Sequence, residues 1–260
     1  MKALITGATS GIGQSIAEKL SKKGGDVILT GRNKKKLNEL KESLGSGTEI
    51  ITADLSKRED VYKVYDFCKG KNIDMLVNNA GYGLFGKFDE TDLDDEVNMI
   101  NVNITALHIL TKLFLREFKK RDSGIILNVA SAAGFMTGPL MAGYYASKNY
   151  VLRLSLAIYE ELRRDRSKVS ITVLCPGPVD TNFNNRAGVS FSVKPISADY
   201  AAEFALKKAF SGRLLAVPGF TVWLGTWGSR FMPHKMLSAI VYNIQKAKKT
   251  ADGKEKALKK

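Results

Sequence analysis

Short, continuously apolar runs alternate with longer amphipathic ones along most of this chain, and that alternation restricts the fold more than any other feature. Residues 3–6, 27–30, 49–52, 75–78, 125–129 and 169–174 form the short runs. A run that is apolar throughout, rather than at every second position, suits a strand buried on both faces. Between the runs, residues 11–23, 34–44, 57–69, 93–120 and 142–165 carry apolar side chains at helical spacing. The pattern predicts an α/β fold, a doubly wound parallel sheet with right-handed crossovers and helices on both faces. A helix at 198–210 and a strand at 213–217 would extend it. With no internal repeat and no Pro- or Ser-rich linker, 1–218 reads as one domain and 219–260 as a less regular extension packed on or beside it.

Composition narrows the class. The chain has 260 residues, 44% hydrophobic and 25% charged, which excludes wholesale disorder. Two cysteines, Cys68 and Cys175, cannot make a disulfide framework or a zinc cluster. The apolar start at residues 3–5 is too short for a secretory signal, and no apolar run approaches ~20 residues, so a cytoplasmic location is expected. The 40 Lys and Arg outnumber the 26 Asp and Glu, a net of +14. Seven lysines against Asp252 and Glu255 put +5 of that into residues 244–260. The tail suits an anionic partner, although a solvated, frayed terminus is the plainer reading. No helix-turn-helix, zinc or aromatic-platform signature supports nucleic-acid binding.

The turn after the first strand reads Thr6-Gly7-Ala8-Thr9-Ser10-Gly11-Ile12-Gly13 and runs directly into a helix. Glycines there let the backbone approach a pyrophosphate, and the helix N-terminus offers free N–H groups to it. The spacing is GxxxGxG, a weak signal alone. Its place at the first strand-to-helix turn makes a Rossmann-type dinucleotide site the expectation. At the end of the second strand, an acidic residue would hold the adenosine ribose hydroxyls. Here the chain has Gly31-Arg32-Asn33 and then three lysines, of which Lys36 is a possible helper. Arg32 would pair with a 2′-phosphate through a charge-assisted hydrogen bond of roughly 1.5–3 kcal/mol, favouring NADPH/NADP+ over NADH. Asp54 would either accept from the adenine amino group or cap the following helix.

Tyr144 and Lys148 lie four apart in a predicted helix and share a face. Tyr145 competes on paper, but four residues beyond it stands the uncharged Asn149. An ammonium beside a phenol favours the phenolate; bringing a tyrosine pKa from ~10 to neutrality takes about 4 kcal/mol. Tyr144 would then serve as a general acid for a carbonyl oxygen, with the hydroxyl of Ser131, at the end of the fifth strand, holding that oxygen.

Five segments occur in order at related spacing: Thr6–Gly13, Asn78-Asn79-Ala80-Gly81, Ser131, Tyr144-Tyr145-Ala146-Ser147-Lys148 and Pro176-Gly177-Pro178-Val179-Asp180-Thr181. Together they resemble the short-chain dehydrogenase/reductase family over residues 1 to about 217. The resemblance implies a catalytic set of Ser131, Tyr144 and Lys148, completed by Asn103, whose family counterpart holds a water that relays protons through the lysine. Asn103 fits by its offset to Thr111, with Asn101 nearby as a competitor. It also implies cofactor contacts from Gly7, Thr9, Ser10, Gly11, Ile12, Gly13, Arg32, Asn33, Asp54 and Leu55. Asn79, Ala80 and Gly81 would pass beside the ribose, next to Tyr144 and Lys148. Pro176, Gly177, Val179 and Thr181 would contact the nicotinamide. Thr9 departs from the many NADP-dependent relatives that carry a basic residue at that position. A homodimer or homotetramer is the family expectation.

Phe135, Met136, Leu140, Met141, Phe183, Val189, Phe191 and Val193 lie where such enzymes build substrate pockets, which suits a lipophilic carbonyl. Residues 220–243 are rich in aromatic and apolar side chains and precede the lysine tail. They would cover the pocket mouth or form a dimer contact, in preference to a peripheral membrane contact. His108 and His234 lack companions for metal or nucleophile chemistry and read as structural. The sequence therefore points to an NADPH-dependent reductase of a ketone or aldehyde. A catalytically retired dinucleotide-binding redox sensor is the competing reading, and the full Ser131, Tyr144 and Lys148 set argues against it.

Overall fold

Leu4 faces one side of the first strand and Ala3 and Ile5 the other, and all three are fully buried. Such a strand needs helices both above and below it. The computed structural model describes residues 1–181 and 195–258, with 247–258 as backbone only. Strands β1 (Lys2–Thr6), β2 (Asp26–Gly31), β3 (Thr48–Thr52), β4 (Met75–Asn78), β5 (Ile125–Val129) and β6 (Ser170–Leu174) match the apolar runs closely. The short pairs β7 (Val179–Asp180) and β8 (Ile196–Ser197) form a ribbon apart from the main sheet, and β9 (Leu215–Ala216) joins its edge. The main sheet has seven parallel strands in the order β3-β2-β1-β4-β5-β6-β9. This is the doubly wound α/β arrangement expected from the alternation.

The two faces divide the core by alternation along each strand. Ala3, Ile5, Val27, Leu29, Val77 and Leu127 pack under helices α1 (Gly11–Lys22), α2 (Lys34–Leu44) and α7 (Ala198–Phe210). Leu4, Ile28, Leu76, Ile126 and Ile171 pack under α3 (Arg58–Cys68), α5 (Leu107–Lys120) and α6 (Ala142–Arg164). Each such leucine or isoleucine contributes about 1.5–3 kcal/mol by leaving water. Small residues let α1 and α7 approach closely, with Ala17 on one helix and Ala202 and Ala205 on the other in the same cluster.

Strand order reverses between β1 and β4, so the loops leaving those two strands diverge to opposite faces and open a crevice. Three expectations change. Residues 93–120 are not one helix: α4 (Leu93–Ile100) passes through a π-helical turn at Asn101–Ala106 before α5 begins. The predicted strand 213–217 is only two residues long because the sheet edge pairs with β6 there alone. Residues 220–243 are regular after all, forming α8 (Phe220–Gly228) and the start of α9 (His234–Leu258), with Pro233 just ahead of α9. Among the described residues, no helix is long and apolar enough to cross a membrane.

Candidate active site

A cleft of about 730 Å³ opens over the carboxyl ends of the strands, within the range that small-molecule sites occupy. At one end lies the glycine turn. Gly7 and Gly11 hold φ of +63° and +58°, a backbone conformation that side chains disfavour. A Cβ on Gly13 would sit 2.6 Å from the Gly7 carbonyl oxygen and on top of the Asn79 amide. That amide donates at 3.0 Å to the carbonyls of both Thr6 and Gly7, while the Asn79 and Ala80 N–H groups donate to Thr6 Oγ1 at 2.9 and 3.0 Å. The loop after β4 is thereby laced to the end of β1. Ser10 is the N-cap of α1 in extended backbone, yet its side chain makes no capping bond. The free N–H groups of that helix terminus are thus open to an anion. Gly7, Thr9, Ser10, Gly11 and Ile12 all line the cleft, and Gly13 supports the turn from behind.

Arg32 is exposed along the cleft wall at the end of β2. Asn33 also borders the cleft, but its Oδ1 accepts from the Lys36 backbone N–H at 3.0 Å, so that oxygen caps α2. Lys36 joins that cap through its backbone, and its side chain does not line the cleft. Asp54 does not cap α3, whose N-cap is Lys57. It closes a turn instead, accepting from Ser56 N at 3.1 Å and Ser56 Oγ at 2.9 Å, both on Oδ1. Burial works to raise its pKa, but the Ser56 bonds and the charges of Arg32 and Lys57 prevail and hold it below the ordinary carboxylate value. Leu55, buried, completes this wall.

The other end of the cleft carries Ser131, Tyr144 and Lys148. Ser131 follows β5, and its Oγ accepts from Ala133 N at 3.1 Å, which fixes the hydroxyl at the start of a short 3₁₀ turn. Tyr144 and Lys148 share the buried face of α6. Lys148 Nζ donates to the Val129 carbonyl at 3.0 Å and lies 5.9 Å from the centre of the Tyr144 ring. The electrostatics reverse the expected sign. Burial pushes the Tyr144 phenol up to about 12, opposed by a hydrogen bond from Ser131. Burial also pushes the Lys148 ammonium down to about 8. Desolvation is the leading cause for both groups, so Tyr144 rests as a protonated phenol.

Asn103 lies in the π-helical turn, off the cleft surface. Its amide donates to Tyr82 O at 2.9 Å and Ser147 Oγ at 3.0 Å, and its Oδ1 accepts from Tyr82 N at 3.1 Å. A Cβ on Gly81 would fall 2.9 Å from Asn103 Oδ1 and 3.3 Å from Lys148 Nζ, so Gly81 sits between them. Asn101 takes no part in this packing; its Oδ1 is 3.5 Å from Thr105 Oγ1. Along the loop after β6, Pro176, Gly177, Val179 and Thr181 line the cleft, beside Asn79, Ala80 and Gly81 from the opposite wall.

Of the expected substrate-side residues, Met136 and Met141 line the cleft, whereas Phe135 packs against the buried cluster of Leu107, Val151 and Val173, as does Val222 of α8. Leu140 is not part of the lining, and holds φ of +66°. Phe183, Val189, Phe191 and Val193 lie outside the described residues. Sequence reasoning missed Tyr82 and Gln245, both of which line the cleft. Gln245 is fully buried, and its Nε2 donates to Tyr145 Oη at 2.7 Å. The helical spacing of Leu237, Val241 and Gln245 was the available signal, since a polar residue ending an apolar stripe needs a partner.

Comparison with known proteins draws these features together. A family model described as short chain dehydrogenase matches residues 1–189. The chain belongs to the short-chain dehydrogenase family. An uncharacterized oxidoreductase of Staphylococcus epidermidis is 37% identical over 183 residues, 69% of this chain and 78% of that protein. A very-long-chain 3-oxoacyl-CoA reductase of Anas platyrhynchos is 37% identical over 207 residues, 76% of this chain and 65% of that protein. Among solved structures, a short-chain dehydrogenase from Sphingobium yanoikuyae in complex with NADPH is 29% identical and superposes with a TM-score of 0.80. That match covers 88% of this chain and 93% of the other. As a short-chain dehydrogenase, the protein is an oxidoreductase that uses an NAD(P) dinucleotide.

Proposed function

We propose that the protein reduces a ketone or aldehyde with NADPH, Tyr144 giving the proton. The observation that carries this reading is a single cleft with an uncapped helix terminus at one end and Ser131, Tyr144 and Lys148 at the other. The dinucleotide fits what the chain provides: glycines that leave the turn open to a pyrophosphate, free N–H groups at the start of α1, and Asp54 with Oδ2 outside its Ser56 turn. When bound, it supplies hydride to the carbonyl carbon.

The protein side of the reaction follows from proton positions. Tyr144, held protonated by burial, donates to the carbonyl oxygen while the Ser131 hydroxyl holds that oxygen in place. The resulting phenolate is stabilised by the Lys148 ammonium, whose own position is set by Val129. Asn103 acts as a positioning residue behind Gly81 and Lys148. The choice of NADPH rests on Arg32 at the end of β2, where a carboxylate would otherwise exclude a 2′-phosphate. The NADPH in the Sphingobium relative is in keeping with it. Met136, Met141 and Val241 in the lining, and the long-chain acyl substrate in the name of the Anas relative, favour a lipophilic carbonyl. Residues 1–218 then form the catalytic unit, with the extension from 219 onward packed on or beside it and Val241, Ile244 and Gln245 of α9 in the cleft lining.

The test follows NADPH and NADH consumption in parallel on short and lipophilic carbonyls. Arg32→Ala should raise KM for NADPH by about 10–100-fold, the equivalent of one charge-assisted hydrogen bond, and leave NADH kinetics unchanged. Equal use of both dinucleotides by the unmodified protein would refute the Arg32 argument. NADPH binding without turnover of any carbonyl would favour the redox-sensor reading.

A further inference from the structure

Helix α8 and the turn after it turn their largest side chains outward. Phe220 and Phe231 are 74% and 73% exposed, and Trp223 and Trp227 about half exposed. Phe220 stacks on Trp223 with ring centres 5.9 Å apart, and Trp227 meets Phe231 at 4.9 Å, so the four rings form two exposed aromatic pairs. Helix α9 adds exposed apolar side chains of its own. Its inner stripe of Leu237, Val241 and Gln245 is buried, while Met236 and Ile240, one position earlier than the first two, are exposed and lie outside the cleft lining. A helix that covers a cleft with one stripe should present polar side chains to water; this one exposes Met236 and Ile240 alongside Lys235 and Lys246. An exposed apolar surface of this kind marks an interaction site.

Charge selects the partner. Residues 220–246 contain Arg230, Lys235 and Lys246 and no carboxylate. The following residues 247–260 add six lysines against Asp252 and Glu255. A second copy docking on the same patch would set this positive charge against itself, because a two-fold interface pairs each surface with its own image. Aromatic and aliphatic side chains beside clustered lysines instead match an anionic bilayer surface, where rings enter the headgroup region and ammonium groups meet phosphates. We propose that the exposed aromatic pairs of α8 and its following turn, with Met236 and Ile240 of α9 and the cations Arg230, Lys235 and Lys246, dock on the surface of an anionic membrane without spanning it. The same helix α9 would then border the cleft on one side and the bilayer on the other.

The chain offers its own reporter, because its two tryptophans are Trp223 and Trp227. The full chain is titrated with vesicles of equal parts phosphatidylcholine and phosphatidylglycerol, and with phosphatidylcholine alone, while tryptophan emission is followed. The expected result is a blue shift with co-flotation on the anionic vesicles. Raising salt from about 0.05 to about 0.5 M should weaken it severalfold. The pair Phe220→Asp and Phe231→Asp keeps both tryptophans and lies outside the cleft. It should weaken vesicle binding about tenfold or more while turnover of a water-soluble carbonyl is unchanged. An unshifted emission on anionic vesicles would overturn the proposal, as would full binding by the double variant. A blue shift that grows with protein concentration in the absence of lipid would assign the face to a second copy instead, and also overturn it.

Discussion

Lys148 Nζ donates a 3.0 Å hydrogen bond to the carbonyl oxygen of Val129, tying a buried ammonium on α6 to the end of β5 two residues before Ser131. The bond fixes where the charge sits, but burial still pushes its pKa down to about 8. The ammonium is therefore charged at neutral pH and loses its proton as pH climbs through about 8. Carbonyl reduction should hold steady on the neutral side and fall along a limb near that value. A pH–rate profile at saturating NADPH tests this, and a reduction rate still flat beyond pH 10 would contradict it.

The same burial predicts a stability gain from removing the charge. A lysine whose pKa is depressed by folding weakens the fold fully below its folded pKa of about 8. That penalty is relieved as pH rises toward the unfolded value of 10.5. Lys148→Met should abolish most activity yet stabilise the protein at pH 7. Leaving the Val129 carbonyl unpaired costs about 1–3 kcal/mol, so the net gain is on the order of 1 kcal/mol. Tm measured against pH should show the advantage shrinking between pH 8 and 10. A variant less stable than the parent at pH 7 would mean the Val129 bond outweighs desolvation.

Neighbouring tyrosines should separate cleanly. Tyr144→Phe removes the proposed proton donor and should lower kcat about 10²–10⁴-fold with little change in thermal stability. Tyr145 Oη is engaged by Gln245 at 2.7 Å, and Gln245 is fully buried. Tyr145→Phe strands that amide and should cost about 1–3 kcal/mol of stability while leaving kcat within a few-fold. Paired kinetics and thermal melts distinguish the two. The opposite pattern would make Tyr145 the donor.

Gly81→Ala should harm activity more than folding. The added methyl would press 2.9 Å from Asn103 Oδ1 and 3.3 Å from Lys148 Nζ, displacing the ammonium at the cleft end and the amide behind it. A kcat loss of about 10–100-fold is expected, since small misplacements of positioned groups cost that much. Activity equal to the parent would show that Asn103 and Lys148 can shift without consequence.

What the sequence determined by itself was local. Strand β4 was legible because four consecutive apolar or small-amide positions, Met75 to Asn78, can be buried on both faces only in an interior strand. The turn from Gly7 to Gly13 was legible because positive φ or close backbone approach restricts the residue type at Gly7, Gly11 and Gly13. Tertiary structure decided everything that depends on partners distant in the chain. The π-helical turn at Asn101–Ala106 leaves hydrophobic periodicity almost unchanged, so residues 93–120 read as one helix although the turn sets the position of Asn103. Asn33 looked free for a ligand until Lys36 took its oxygen, and Gln245 reaches Tyr145 across a hundred positions of sequence. The sign of the Tyr144 shift follows the same rule. The shared face of Tyr144 and Lys148 can be read from a spacing of four residues, whereas the desolvation that leads both shifts exists only once the surrounding chain has closed over them.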